Sequence, residues 1–204
     1  MRRTSEQPES PETNMRLRDS CLRLALLQFA LLGGPANAQY PDFIFLAGAD
    51  GWDVSAPPEW RSNLMAHNAA RRQVLPVAAT PILPLTWSTS LAATAQAYSS
   101  QCIWAHSGTS GLGENLAAAA PWSDQRRASA MNWASENVLY NYASNSCPAG
   151  QQCGHYTQMV WASTTQFGCG TTNCSTGSPF TSFPQWTNTV CNYTPPGNNG
   201  QRPY

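Results

Sequence analysis

Lysine is missing from this sequence, and charge of either sign is scarce. All eleven basic residues are arginine, eleven acidic residues balance them, and charged residues make up 11% of the 204 positions. Because no basic run is present that could follow a phosphate backbone, nucleic acid is not expected as a partner. Eight tryptophans, seven tyrosines and 42% hydrophobic residues argue against disorder along the whole chain.

Long hydrophobic runs are also missing, since no segment approaches the roughly 20 apolar residues of a membrane-spanning helix. A shorter apolar stretch, from Leu22 to Leu32, is accompanied by arginines and followed by Ala36-Asn37-Ala38, small residues that signal peptidase accepts. Residues 1–38 are therefore predicted to be a signal peptide, with Met15 as a possible true start. Residues 39–59 form an expected arm or linker, and 60–204 one domain. The protein is expected to be secreted and extracellular, without a transmembrane anchor.

Cysteine usage agrees with export. One cysteine, Cys21, lies in the predicted signal peptide, and six remain: Cys102, Cys147, Cys153, Cys169, Cys174 and Cys191. An even number in an exported chain predicts three disulfides, for which sequence alone allows fifteen connectivities. Zinc binding by these cysteines is the competing interpretation, but no pair has the C-x-x-C spacing.

The order of predicted elements indicates an α+β fold. Helices are predicted from Trp60 to Val74, from Thr89 to Ser99 after a capping site at Thr86-Trp87-Ser88, and from Gln125 to Val138. Strands are predicted at Thr157 to Ala162, Phe167 to Thr172 and Asn188 to Tyr193. Helices first and strands later favour a layered domain over a βαβ repeat.

Titratable side chains are few enough to count. After Arg61 the carboxylates are Glu114, Asp124 and Glu136, and the histidines of the whole chain are His67, His106 and His155. Two imidazoles and two carboxylates brought together could hold a divalent cation. Alternatively, each carboxylate could orient one imidazole by a hydrogen bond, and the spacing leaves both arrangements open.

Four segments resemble the signature blocks of the CAP superfamily (cysteine-rich secretory proteins, antigen 5 and pathogenesis-related 1 proteins), in the family's order. These are an HNxxR block at 66–71, a GEN block at 113–116, a GHYTQ block at 154–161 and a CNYxPPGN block at 191–198. The ending Gly200-Gln201-Arg202-Pro203-Tyr204 resembles plant pathogenesis-related 1 proteins in particular. The resemblance covers the chain from about Trp60 to Tyr204.

This resemblance implies a three-layer α-β-α sandwich, stapled by disulfides, with a surface cleft lined by His106, Glu114, Glu136 and His155. Members of the family bind zinc, magnesium or calcium at that cleft, although no cofactor is required for the fold. The resemblance also implies a Cys147–Cys153 disulfide and structural roles for His67, Asn68 and Arg71. No catalytic residue is assigned, because HExxH and G-x-S-x-G motifs are missing and no free thiol remains if all six cysteines pair.

The resemblance further implies a defence protein that binds sterol or a related lipid. In sterol-binding members an aromatic loop takes part in capture, and Tyr140 and Tyr142 occupy that loop here, where their rings could pack on a ring system. Two alternatives are a metal-dependent hydrolase using the same cleft, and the precursor of a signalling peptide (195–204) released by a processing protease. In a plant the location would be the apoplast.

Overall fold

The computed structural model describes residues 56–204. The predicted signal peptide (1–38) and all of the predicted arm before Ala56 lie outside the described residues. Ala56 itself is only 1% exposed and belongs to the main hydrophobic core, so packing begins before the predicted boundary at Trp60.

The described chain contains four α-helices and four strands, with 3-10 turns at Pro58–Trp60 and Glu136–Val138. In chain order these elements are α1 Arg61–Arg72, β1 Thr86–Trp87, α2 Thr89–Ser99, β2 Gly113–Ala119, α3 Arg126–Ser135, α4 Gly154–Met159, β3 Gln166–Cys174 and β4 Trp186–Thr194. The three predicted helices are confirmed, the second with the predicted bounds and the other two slightly shorter. Within residues 56–204 no helix has the length and apolar character needed to cross a bilayer.

The four strands form one sheet in the order β1-β3-β4-β2, antiparallel except where β1 pairs with β3. Strand β4 lies between β3 and β2, and all of its residues from Trp186 to Tyr193 are buried. A strand buried on both faces needs a layer of structure on each side. The predicted α-β-α sandwich is therefore confirmed.

The two outer layers differ in how closely they approach the sheet. Helices α1, α3 and α4 cover one face, where Trp133 of α3 and Met159 of α4 share a hydrophobic core with Phe167 of β3. Helix α2 covers the other face through small residues, and a Cβ at Gly168 would lie 2.3 Å from the backbone nitrogen of Ala92. Glycine at 168 is thus required for the close packing of α2 on the sheet.

One predicted strand is wrong. Residues 157–162 were expected to be extended, because Thr157, Val160 and Trp161 favour strands, but the segment belongs to α4 and the turn after it. The short helix buries Tyr156, Thr157, Gln158 and Met159 together. Tertiary burial therefore outweighs local propensity here.

Three disulfides are present, as expected. They join Cys102 to Cys174, Cys147 to Cys153 and Cys169 to Cys191. The second is the pair that the resemblance implies. The third links directly paired positions of β3 and β4 in the centre of the sheet.

Candidate functional site

The four residues expected to line a cleft form two histidine–glutamate pairs. His106 Nδ1 lies 2.9 Å from Glu114 Oε1, and His155 Nδ1 lies 2.6 Å from Glu136 Oε1. Strand β2 carries Glu114, helix α4 carries His155, and Glu136 follows α3 directly. The alternative in which each carboxylate orients one imidazole is therefore the arrangement that this structure adopts.

Both carboxylates are also held by other protein donors. Glu114 accepts from the backbone N–H of Ser107 at 2.8 Å and from Asn192 Nδ2 at 3.3 Å, while Glu136 accepts from the backbone N–H of Tyr156 at 3.0 Å. These bonds hold each carboxylate in place and use part of its acceptor capacity, so less of it is left for a hard cation such as magnesium or calcium.

An ionised carboxylate can only accept, so each imidazole must carry its proton on Nδ1 when neutral. That leaves both Nε2 lone pairs available, and neither Nε2 has a hydrogen-bond partner within residues 56–204. A carboxylate that accepts from one ring nitrogen is the usual way to orient a histidine that binds zinc through the other. The donor set therefore fits zinc better than magnesium or calcium.

The two pairs do not form one four-residue group. Among residues 56–204, no three or more histidine, cysteine, aspartate or glutamate side chains lie close enough to hold a metal ion together. His106 has a side chain 65% exposed, whereas that of His155 is 25% exposed. Metal binding by His106, Glu114, Glu136 and His155 stays a prediction.

A cleft of about 290 Å³ lies beside the first pair. It is lined by residues of the loop before β2, of β2 itself and of the tail: His106, Ser107, Gly108, Thr109, Leu112, Gly113, Glu114, Gln158, Gly197 and Asn198. The exposed imidazole and the backbone of three glycines make this cleft polar and open to solvent.

A buried hydrogen-bond chain connects the four signature blocks behind this cleft. His67 Nδ1 donates to the carbonyl of Asn63 at 2.9 Å, and His67 Nε2 accepts from the hydroxyl of Tyr193 at 2.8 Å. Asn115 Nδ2 then donates to the Tyr193 oxygen and to the His155 carbonyl, both at 3.1 Å. His155 is thus held by a bond from the protein interior to its backbone carbonyl as well as by the bond of its side chain to Glu136.

His67 and Arg71 are buried among these blocks. Burial, with a contribution from the positive charge of Arg71, lowers the pKa of His67 to about 4. Burial also lowers the pKa of Arg71 to about 10, which leaves it protonated at neutral pH. Arg71 has no carboxylate partner among the described residues and donates instead to four carbonyl oxygens, of Leu83, Met159, Trp161 and Thr164, at 2.7–3.0 Å.

Asn68 closes the loop between α1 and β1. Its side chain donates to the carbonyl of Leu85 at 3.1 Å and accepts from the backbone N–H of Leu85 at 2.7 Å. The three residues expected to be structural, His67, Asn68 and Arg71, all make such internal bonds.

The glycine of the GEN block makes room for another block. A Cβ on Gly113 would lie 2.2 Å from Gln158 Oε1, the atom that accepts from the backbone N–H of Gly197 at 2.9 Å. Gln158 also donates to Thr164 Oγ1 at 3.2 Å. The cleft wall therefore depends on three segments far apart in the sequence.

Residues 64–193, which include nearly all of the residues just described, match the model of the Cysteine-rich secretory protein family, CAP. The chain belongs to the CAP family.

Relatives of this CAP protein occur in plants and mammals. It is 43% identical over 139 residues to Pathogenesis-related protein 1A1 of Solanum lycopersicum, covering 66% of this chain and 70% of the tomato protein. It is 42% identical over 170 residues to Peptidase inhibitor 16 of Bos taurus, covering 80% of this chain. The chain spans only 36% of the length of that mammalian relative.

A solved structure supports the fold. Venom allergen-like protein 4 of Schistosoma mansoni superposes with a TM-score of 0.57 at 26% identity, covering 73% of this chain and 95% of that protein. The helical and strand layers of this CAP protein thus recur in a family member of known structure.

A second, larger groove lies at the aromatic loop. It has a volume of about 670 Å³, and its lining includes Leu75, Pro76, Val138, Leu139, Tyr140, Asn141, Tyr142 and Ala143. Leu75 is 77% exposed and Val138 is 83% exposed, values that are high for aliphatic side chains. The two predicted lipid-binding tyrosines are thus brought together beside exposed apolar groups.

Tyr142 is already stacked within the protein. Its ring lies 4.7 Å from that of Tyr204 at an interplanar angle of 20°, its hydroxyl donates to the Tyr204 carbonyl, and Arg202 lies 5.5 Å from its ring centre. Tyr140 donates to Asn145 Oδ1 at 2.7 Å. Tyr142 therefore supports the groove wall, and its ring has less free surface than the sequence suggested.

Sequence reasoning missed four residues that build the site: Asn115, Gln158, Tyr193 and Asn198. Each belongs to a signature block, so the resemblance contained the signal, but nothing in a single sequence shows which polar block residues face inward. Their roles come from long-range contacts such as Thr157 Oγ1 to Asn198 Oδ1 at 2.7 Å.

Proposed function

We propose that this CAP protein is secreted, acts in defence and binds a sterol or a related lipid in the groove beside Tyr140 and Tyr142. Its similarity to pathogenesis-related proteins supports the defence role. The observation that carries the lipid proposal is the pair of exposed aliphatic side chains, Leu75 and Val138, which come from separate segments of the chain and line one groove.

The groove has a suitable size and chemistry for that ligand. Its volume of about 670 Å³ lies within the roughly 300–1,000 Å³ of small-molecule sites. Covering Leu75 and Val138 with an apolar ligand would remove exposed hydrocarbon from water, which favours binding by about 25 cal/mol per Å². No charged side chain lines the groove within the described residues, so an uncharged ring system suits it.

Binding of radiolabelled sterol to the oxidised protein tests this proposal. Leu75→Glu places a charge in the groove and should weaken binding at least about tenfold, since burying one leucine is worth about 1.5–3 kcal/mol. Leu83→Glu is the matched control, because Leu83 is 63% exposed and does not line the groove. Absence of saturable binding, or equal loss in both variants, contradicts the proposal.

We further propose that His106 and His155 bind zinc through their Nε2 atoms. Bound zinc would supply Lewis acidity, but both glutamates accept several protein donors and are poorly placed to act as a free general base. A binding role is therefore favoured over the hydrolase alternative. Repeating the sterol assay with and without EDTA separates the two sites: chelation should leave sterol binding unchanged.

The peptide-precursor alternative would require detachment of residues 195–204. Several hydrogen bonds hold that segment on the rest of the domain. The Pro203 carbonyl accepts from the N–H of Ala162 at 2.7 Å, and Arg202 donates to the carbonyls of Tyr142 and Ala143. These contacts favour retention of the tail in the folded protein. Mass spectrometry of secreted fluid for a fragment beginning at Pro195 tests this alternative.

A further inference from the structure

A third cavity lies well away from both the histidine cleft and the lipid groove. It has a volume of about 330 Å³ and is lined by Trp122, Ser123, Asp124, Arg126, Thr171, Asn173 and Thr187. It lies between the start of α3 and the end of the sheet where β3 finishes and β4 begins. Thr187 precedes Asn192 by five residues along β4, so the cavity is about 17 Å from the Glu114 pair.

One wall of this cavity is a fixed aromatic ring. Trp122 is 45% exposed, yet its indole N–H donates to the Cys174 carbonyl at 2.8 Å. Cys174 is held in turn by its disulfide to Cys102. The ring therefore presents a flat apolar surface to solvent in a set orientation, which lowers the entropy cost of binding a ligand against it.

The rest of the cavity offers hydrogen-bonding groups of both kinds. Asp124 and Arg126 form a bidentate pair, with Arg126 Nε at 2.8 Å and Nη2 at 2.9 Å from the carboxylate oxygens. Among the described residues, Arg126 Nη1 and Asn173 Nδ2 have no acceptor, so two donors remain available. Asp124 keeps unused acceptor capacity beside them.

The buried wall fixes these groups in place. Thr187 is 2% exposed, accepts from the backbone N–H of Ser123 at 3.0 Å and donates to Asn173 Oδ1 at 3.0 Å. The latter bond turns the Asn173 amide so that its NH₂ group is the end left without a protein partner. Thr187 of β4 therefore holds both Ser123 and Asn173 in place at the cavity wall.

The chemistry of the cavity selects among ligand classes. An anion is disfavoured because Asp124 already neutralises Arg126, and a metal ion is disfavoured because Asp124 is the single carboxylate in the lining. A lipid would leave the donors of Arg126 and Asn173 unpaired. A sugar ring has an apolar face of C–H groups and a rim of hydroxyls that both donate and accept.

We infer that this cavity is a saccharide-binding site. One sugar ring stacks on Trp122, and its hydroxyls bond to Asp124, Arg126 and Asn173. The volume accommodates one or two rings, so the ligand is a neutral oligosaccharide bound by one end or by an internal unit. The site is independent of the lipid proposal and of any metal in the cleft.

Asn173 begins an Asn-Cys-Ser sequence, which is a possible N-glycosylation acceptor in eukaryotic secretion. The test therefore uses the full chain exported to the bacterial periplasm, where Asn173 stays unglycosylated and disulfides form. Cellotetraose, xylotetraose and chitotetraose are titrated in turn while indole N–H signals are followed by NMR. The Trp122 signal is assigned as the one lost in Trp122→Phe. We expect at least one of the three sugars to shift it saturably.

Matched variants decide whether binding uses this site. Trp122→Ala should reduce affinity at least about tenfold, as expected for loss of an aromatic stacking partner, and Asp124→Asn should also weaken it. Trp104→Ala is the control, because Trp104 is 44% exposed and does not line the cavity. Near-ultraviolet circular dichroism verifies that each variant is folded.

Three outcomes would overturn the inference. These are no shift with any of the three sugars up to millimolar concentration, binding that survives Trp122→Ala in a folded protein, and a Trp122 shift produced by sulfate but by none of the sugars.

Discussion

Acidification should destabilise this protein through a single buried histidine. His67 is fully buried, its Nδ1 donates to the Asn63 carbonyl, and its Nε2 accepts from Tyr193, whose own pKa is raised well above its usual value by burial. A carbonyl can only accept, so Nδ1 must carry the proton and Nε2 is the basic atom. Protonating Nε2 would make it a donor that faces the donating hydroxyl of Tyr193, so this buried hydrogen bond would be lost.

The direction in which stability changes with pH follows from the pKa of His67 in the unfolded and folded states. In the unfolded chain His67 titrates near 6.5, whereas in the folded protein burial lowers the pKa to about 4. Between these values the unfolded state binds a proton that the folded state does not, so stability falls as pH falls. The loss begins near pH 6.5 and is complete below pH 4, at about 1.4 kcal/mol per unit and about 3 kcal/mol in total.

Denaturant unfolding followed by tryptophan fluorescence measures this loss between about pH 7.5 and about pH 4.5. His67→Gln is the comparison, because glutamine offers a neutral donor and acceptor without titrating. The variant should be less stable at neutral pH, but the difference from the parent protein should shrink by about 2–3 kcal/mol on acidification. Other titrating groups are common to both proteins and cancel. A difference that stays constant with pH would refute the reasoning.

Three further substitutions have defined expectations. Arg71→Met should lower the free energy of unfolding by at least about 3 kcal/mol, because four carbonyls lose a charged donor, and denaturant unfolding should show a smaller loss for Arg71→Lys. Gly113→Ala should cost about 1–3 kcal/mol through its clash with the anchored Gln158, measured the same way, and an unchanged stability would contradict the packing described. Arg202→Ala should change the free energy of unfolding by less than about 1 kcal/mol, since its two bonds to the carbonyls of Tyr142 and Ala143 are exposed. The variant should nevertheless speed limited proteolysis of the tail. Unchanged proteolysis would contradict a role for Arg202 in holding the tail on the domain.

The sequence predicted the layers well because helix signals were local. Ser88 caps α2 by accepting from the N–H of Leu91 at 3.4 Å, and Ser88 was part of the expected capping site. Strand β2 was not predicted from propensity, because Gly113 to Ala119 is rich in alanine and becomes a strand only by pairing with β4. The strand predicted at 157–162 is wrong for the converse reason, because burial in α4 and the turn after it outweighs the strand propensity of these residues.

The candidate site could be predicted only in part. The resemblance identified His106, Glu114, Glu136 and His155, and the structure places them in two pairs. It did not predict the separation of those pairs, nor the stacking of Tyr142 on Tyr204. Such contacts join residues as far apart as 62 positions, and neither spacing nor composition carries information about them.

The most direct test of the lipid proposal is a methyl NMR titration of the oxidised protein with ergosterol in detergent micelles, against empty micelles. The proposal predicts saturable shifts at the methyl groups of Leu75 and Val138, with none at Leu83. Shifts at Leu83 alone, or no shift beyond that produced by empty micelles, would contradict it.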